Sequence, residues 1–149
     1  MMKRSVFLTY GIVSIDIIIA FMMLGSMSND WYLTFLSFQK YTLNFLFAIA
    51  GLYLSAYFFA NRMEKVIKKE GYLVSIIIGI IGLFLILICG ILSGSLVGVW
   101  EGISNVNNDY TYANVIEDYI QNPMLLILVF GFIPTFLTGG FLGYLIKRN

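Results

Sequence analysis

The stretch Tyr72–Val99, YLVSIIIGIIGLFLILICGILSGSLVGV, runs for 28 residues without a charged side chain. Such a segment has no polar face to show to water. At ~1.5 Å of rise per residue it can cross a hydrocarbon core of ~30 Å with some tilt or overhang. The basic run Asn61–Gly71, NRMEKVIKKEG, stands directly before it. Together the two predict a membrane span whose first end stays on the cytoplasmic side.

Three further apolar runs take their places around this one. The first covers residues 5–27 and follows Lys3 and Arg4, so it resembles a secretory signal at its start. It is longer than the ~7–15 residues of a signal's apolar region. Asp16 also interrupts it, and it is expected to remain as the first span. The second run covers 41–60, the third is 72–99, and the fourth covers 124–146. Pro123 opens the fourth at a first turn, where a missing N–H is not needed.

The connection 28–40 carries Trp31, Tyr32, Phe35 and Phe38, residue types that favour the headgroup level. The connection 100–123 is the longest polar segment. Within it Tyr112, Val115, Ile116, Tyr119 and Ile120 recur at helical spacing, with Asn114, Glu117, Asp118 and Gln121 on the other face. This pattern predicts a short amphipathic helix lying in the interface.

Of the chain's 149 residues 60% are hydrophobic and 11% charged, at a mean hydropathy of +0.89. Soluble domains carry about 25% charged residues, so too few charges exist here to cover a surface in water. Eight of the nine Lys and Arg residues fall on one side of the expected spans. They are Lys3 and Arg4, then Arg62, Lys65, Lys68 and Lys69, then Lys147 and Arg148; Lys40 stands alone on the other side. By the positive-inside rule both termini are cytoplasmic, which requires an even number of spans.

The expected fold is therefore an all-α bundle of four transmembrane helices in one integral membrane domain, 1–149. Loop 61–71 would be inside, and loops 28–40 and 100–123 outside. The compact size and the Ile-, Asn- and Lys-rich wording suit a multi-pass protein of a bacterial plasma membrane. The basic loop reads either as a site for anionic lipid headgroups, through Arg62, Lys65, Lys68 and Lys69, or as a topology signal only.

The absences are informative too. The chain has no histidine and one cysteine, Cys89. That excludes histidine-ligated metals, a Ser-His-Asp triad, zinc clusters and an intrachain disulfide. Cys89 sits within the apolar run and reads as a small buried hydrophobe. Asn105, Asn107, Asp109 and Thr111 alternate like the start of a calcium loop. The sixth place is Tyr110 and the twelfth Ile116, where such a loop needs Gly and Glu. No basic stripe with interleaved aromatics exists, so nucleic acid is not an expected partner. Neither is any cofactor expected.

Asp16 lies near the middle of the first run. A carboxylate at the bilayer centre costs ~2.5–3.5 kcal/mol on insertion scales, so the side chain should face the bundle, and desolvation there favours the neutral acid. It reads either as the proton or cation site of a small transporter or as a hydrogen-bonding tie between helices. Pro134 and Thr135 lie at the matching depth of the fourth run. Pro134 has no N–H, which leaves the carbonyl of Phe130 without its helical donor. A neutral Asp16 can supply one, so the first and fourth helices are expected to be neighbours, with Asp16 reaching 130–135.

Small residues recur at a spacing of four. Gly90, Gly94 and Gly98 form one row, continued by Gly102. Gly131, Thr135, Gly139 and Gly143 form another. Missing side chains let backbones approach, either within the bundle or between copies of the chain. Counted by depth, the two rows lie mostly at different levels. Ser75, Gly79 and Gly82 are level with Gly139, Gly140 and Gly143, and there the third and fourth helices should be closest.

For function these readings favour a small non-enzymatic membrane protein. It would be an accessory, regulatory or immunity-type subunit acting through helix packing with a membrane partner or with itself. The alternative is a small proton- or cation-coupled transporter using Asp16. An intramembrane enzyme comes last, since no Ser/Lys, His/Glu or paired-Asp set exists.

Overall fold

A computed structural model of the chain describes residues 4–28, 32, 41–107 and 111–148, side chains at 24, 27, 28, 126–128 and 130 excepted. Among the described residues all regular structure is helical. Helix α1 is Arg4–Ser28, α2 is Thr42–Ile67 and α3 is Tyr72–Ser104. The short α4, Tyr112–Ile116, leads through a π-helical turn, Glu117–Gln121, into α5, Asn122–Arg148. Of the aromatic connection expected at 28–40 only Ser28 and Tyr32 lie within the described residues, and Asp109 lies outside them.

Helices α1, α2 and α3 are long and apolar enough to cross a membrane. Their outer faces carry exposed Ile18, Leu54, Phe58, Ile81, Leu85 and Leu96, and α5 adds Val129, Ile133 and Leu137. Lipid tails solvate such a coat as well as a protein core does. Burial of leucines therefore drives helix association weakly, and close packing and hydrogen bonds must supply the rest. Polar side chains within the helices are turned back on the backbone. The hydroxyls of Thr9, Ser14, Ser55, Ser75 and Ser93 each donate to the carbonyl four residues earlier, at 2.7–2.9 Å.

The elements overrun the apolar runs. Helix α2 continues past residue 60 to Ile67, carrying Arg62 and Lys65, and the chain reverses over Lys68–Gly71. On this extension Lys68 pairs with Glu64 at 2.6 Å, the i, i+4 spacing that supports a helix end. Helix α3 has 33 residues and continues past Val99, about 50 Å in all. Its far end is occupied: Val115 and Tyr119 pack on Gly98 and Gly102. The predicted amphipathic segment is thus not a detached surface helix.

That segment runs without a break into α5. Thr111 starts it by donating its N–H and its hydroxyl to Asn114 Oδ1, at 2.8 and 2.6 Å. Tyr112 and Ile116 stay exposed, and Val115 is the buried member of the expected stripe. The reason for continuity lies at Pro123, which cannot donate to the Tyr119 carbonyl and whose ring crowds the preceding turn. The wider π register accommodates it, with the Asn122 N–H donating to the Glu117 carbonyl five residues back.

The four long helices form a ring in the order α1, α2, α3, α5, with α5 returning to α1. At one end of the ring Ser5 Oγ donates to Glu64 Oε2 at 2.7 Å, and Lys147 Nζ donates to the Lys68 carbonyl at 3.3 Å. The start of α1, the end of α2 and the end of α5 therefore meet, so successive long helices alternate in direction. The core between them holds Ile12 and Val13 of α1, Leu52, Ala56, Met63 and Ile67 of α2, Leu83 and Ile86 of α3, and Leu142 and Ile146 of α5.

Helices α3 and α5 touch backbone to backbone. A Cβ added at Gly139 would stand 2.8 Å from Ile80 Cα, and one at Gly79 2.7 Å from Gly143 Cα. One at Gly143 would meet the Ser75 carbonyl. Gly82 does not join this contact and is covered by Met63 of α2 instead. The row Gly90, Gly94, Gly98, Gly102 is also not one face toward one neighbour. Leu52 fills against Gly90 and Ala48 against Gly94, whereas Tyr119 covers Gly98 and, with Val115, Gly102. Four residues turn a helix by about 40° more than one revolution, so the row winds by about 120° from its first member to its last. It passes from α2 to α4 and the π-helical turn.

These contacts differ in what can yield. Gly139→Ala should lower stability by about 1–3 kcal/mol, because backbone lies against the added methyl. Gly11 has nothing within 4 Å of its Cβ position. Gly11→Ala should be neutral or stabilising, by up to about 1 kcal/mol from helix propensity. Unfolding in mixed detergent micelles measures both, and equal responses would contradict the crossing.

Candidate functional site

Along α1 the residues Ser5, Thr9, Ile12, Val13 and Asp16 share one inward stripe, and all five are buried. Asp16 is 7% exposed and, among the described buried side chains, is the only ionisable one. Across from it Thr138 stands on α5, with its Oγ1 3.2 Å from Asp16 Oδ2. The same hydroxyl lies 2.8 Å from the Pro134 carbonyl, four residues back in its own helix. Asp16 Oδ1 is buried with no hydrogen-bond partner.

Counting hydrogens assigns the roles. Thr138 has one hydroxyl proton, and the shorter contact directs it to Pro134. The Thr138 hydroxyl is thus shared between the Pro134 carbonyl of its own helix and Asp16 Oδ2 of α1, and it ties α5 to α1. Leaving a buried acceptor such as Oδ1 without a donor costs ~1–3 kcal/mol.

The residues named from sequence are distributed as follows. Pro134 takes part through its carbonyl. Thr135 is buried, but Asp16 is bonded three residues farther along, at Thr138. The Phe130 side chain lies outside the described residues. Depth counting treats each helix as upright, and three residues are only about 4.5 Å of rise, which a modest tilt supplies. Thr138 shares a face with Pro134 at i+4, the one clue to it in the sequence.

A second polar tie, between Tyr53 and Ser14, has no signal in the sequence. Tyr53 Oη and Ser14 Oγ lie 2.6 Å apart, and Ser14 donates to the Tyr10 carbonyl at 2.9 Å, so Tyr53 is the donor. The rings of Tyr10 and Tyr53 meet edge to face at 5.2 Å. Helix α1 is thus bonded to α2 through Ser5 and Ser14 and to α5 through Asp16.

Among the four basic residues read as headgroup ligands, Lys68 is engaged by Glu64. Arg62, Lys65 and Lys69 are exposed. Gly131 is half-buried, in the same row as Thr135. Among the described residues no group of three His, Cys, Asp or Glu side chains is placed to hold a metal ion. Compared with known proteins, the chain matches no family model, no curated protein and no solved structure.

A double-mutant cycle tests the Asp16–Thr138 tie. Asp16→Leu and Thr138→Val should each destabilise, and the double change should lose less than the two together, with a coupling of about 0.5–1.5 kcal/mol. Asp16→Asn should be mild, since its amide still donates. Additive losses, measured by detergent unfolding, would mean that the two side chains do not interact.

Proposed function

We propose that the chain is a four-span, non-enzymatic accessory or regulatory membrane protein with both termini in the cytoplasm. It acts through its lipid-facing helices on another membrane protein. The fourth span is α5: its 27 residues are long enough at ~1.5 Å each, and exposed Val129, Ile133, Leu137 and Phe141 form an apolar row on it. The inside assignment rests on the end where Arg4, Arg62, Lys65, Lys68, Lys69, Lys147 and Arg148 collect. A bacterial plasma membrane suits this topology.

One observation carries the functional reading: Asp16 is buried on the inward stripe of α1 that also holds Ile12 and Val13, and among the described residues Thr138 is its one hydrogen-bond partner. A transport path for protons or cations needs a succession of exchangeable groups, and Asp16 is the only ionisable side chain among the described buried residues. The transporter reading keeps one point in its favour, the unbonded Oδ1.

Two measurements decide. In proteoliposomes with an imposed pH gradient, the wild type and Asp16→Asn should leak protons equally slowly. A flux that Asp16→Asn abolishes would establish the transporter reading instead. For topology, in a Cys89→Ala background, Lys65→Cys and Lys69→Cys should be shielded from an impermeant thiol reagent in whole cells. Glu101→Cys and Asn107→Cys should react. Labelling of both pairs from one side would break the four-span arrangement.

A further inference from the structure

The end of α2 and the turn that follows it present three cations. On α2 Arg62 and Lys65 lie about 60° apart, Lys69 follows in the turn just beyond the helix, and all three are exposed. On the far side of the helix Met63 and Ile67 are buried in the core. Glu64 and Lys68 occupy the remaining side and are spent on each other and on Ser5. Among the described contacts no acid engages Arg62, Lys65 or Lys69, and Glu70, in the turn, bonds to none of them. Along the same face, toward the middle of the helix, stand exposed Leu54 and Phe58.

We propose that this face is a binding site for one anionic phospholipid of the leaflet it borders. The phosphate would lie among Arg62, Lys65 and Lys69, and an acyl chain would run along Phe58 and Leu54. A planar guanidinium suits two phosphate oxygens, and lysine stems reach a headgroup while lying along apolar surface. The site differs from a general basic surface in two ways. Among the described residues its cations have no acidic partner, and the apolar strip that continues it accepts a lipid tail and no soluble anion. It excludes Lys68, which sequence alone would include. The inference rests on the membrane reading above and not on any protein partner.

The test is native mass spectrometry of the delipidated full chain, titrated separately with dioleoylphosphatidylglycerol and dioleoylphosphatidylcholine. The first phosphatidylglycerol should bind at least tenfold more tightly than phosphatidylcholine. Arg62→Gln, Lys65→Gln and Lys69→Gln should each weaken it by about fivefold and the triple change by about a hundredfold. Arg148→Gln, an equal loss of charge elsewhere at the same end, should change it by less than about twofold. Millimolar inorganic phosphate should leave lipid binding intact. Because the three positions are exposed, circular dichroism should find the variants folded.

Equal binding of the two lipids would overturn the proposal. A loss at Arg148 matching that at Arg62 would reduce it to diffuse charge. Displacement by phosphate would mean that the row holds a free anion. Since the protein is purified, failure to find a membrane partner would not affect this measurement.

Discussion

The bundle depends on the backbone contact between α3 and α5 at Gly79, Gly139 and Gly143. In lipid, burying one more leucine gains little, because the tails outside are as apolar as the core inside. What distinguishes the packed state is the number of atoms brought within dispersion range and the polar groups satisfied. Removing three Cβ atoms lets two helices meet along their backbones, which no larger residue permits. This contact fixes the register of α5 on α3, and with it the position of Thr138 opposite α1.

Helix α3 serves each neighbour by a different stretch of small residues. Its first third meets α5, its middle receives Leu52 and Ala48 of α2, and its far end receives Tyr119 and Val115. The winding of a four-residue row around the helix makes this division of labour possible. A strict 3.5-residue repeat would have kept a single partner along the whole length.

Much of this was legible in the sequence because lipid leaves few alternatives. A 28-residue uncharged run can only be a buried or spanning helix, and three further apolar runs extend that expectation to the rest of the chain. The level at which Gly79 lies with Gly139 and Gly143 follows from counting residues inward from the ends of two antiparallel runs. Details at the scale of one turn were not legible. The partner of Asp16 is Thr138, one turn beyond Thr135, and the winding of the glycine row handed Gly98 and Gly102 to Tyr119. The π register at Glu117–Gln121 joined a segment to α5 that its amphipathic pattern had set apart. Nothing in the spacing of Ser14 and Tyr53 announced their bond, since it depends on which faces of α1 and α2 meet.

The two sides of the ring are consequently held in different ways. On α3 the contacts are steric, spread over several turns, and cannot slide without driving atoms together. On α1 no glycine meets a neighbour at Gly11, and the helix is fixed by three side-chain hydrogen bonds at separate depths: Ser5 to Glu64, Tyr53 to Ser14, and the Asp16–Thr138 pair. Each bond is worth about 1 kcal/mol, but together they specify the axial position and rotation of α1, because each is satisfied at only one register. In this account an acid at mid-helix, poorly suited to lipid in isolation, contributes position more than strength. A leucine in its place would pack comparably well at neighbouring registers and select none of them.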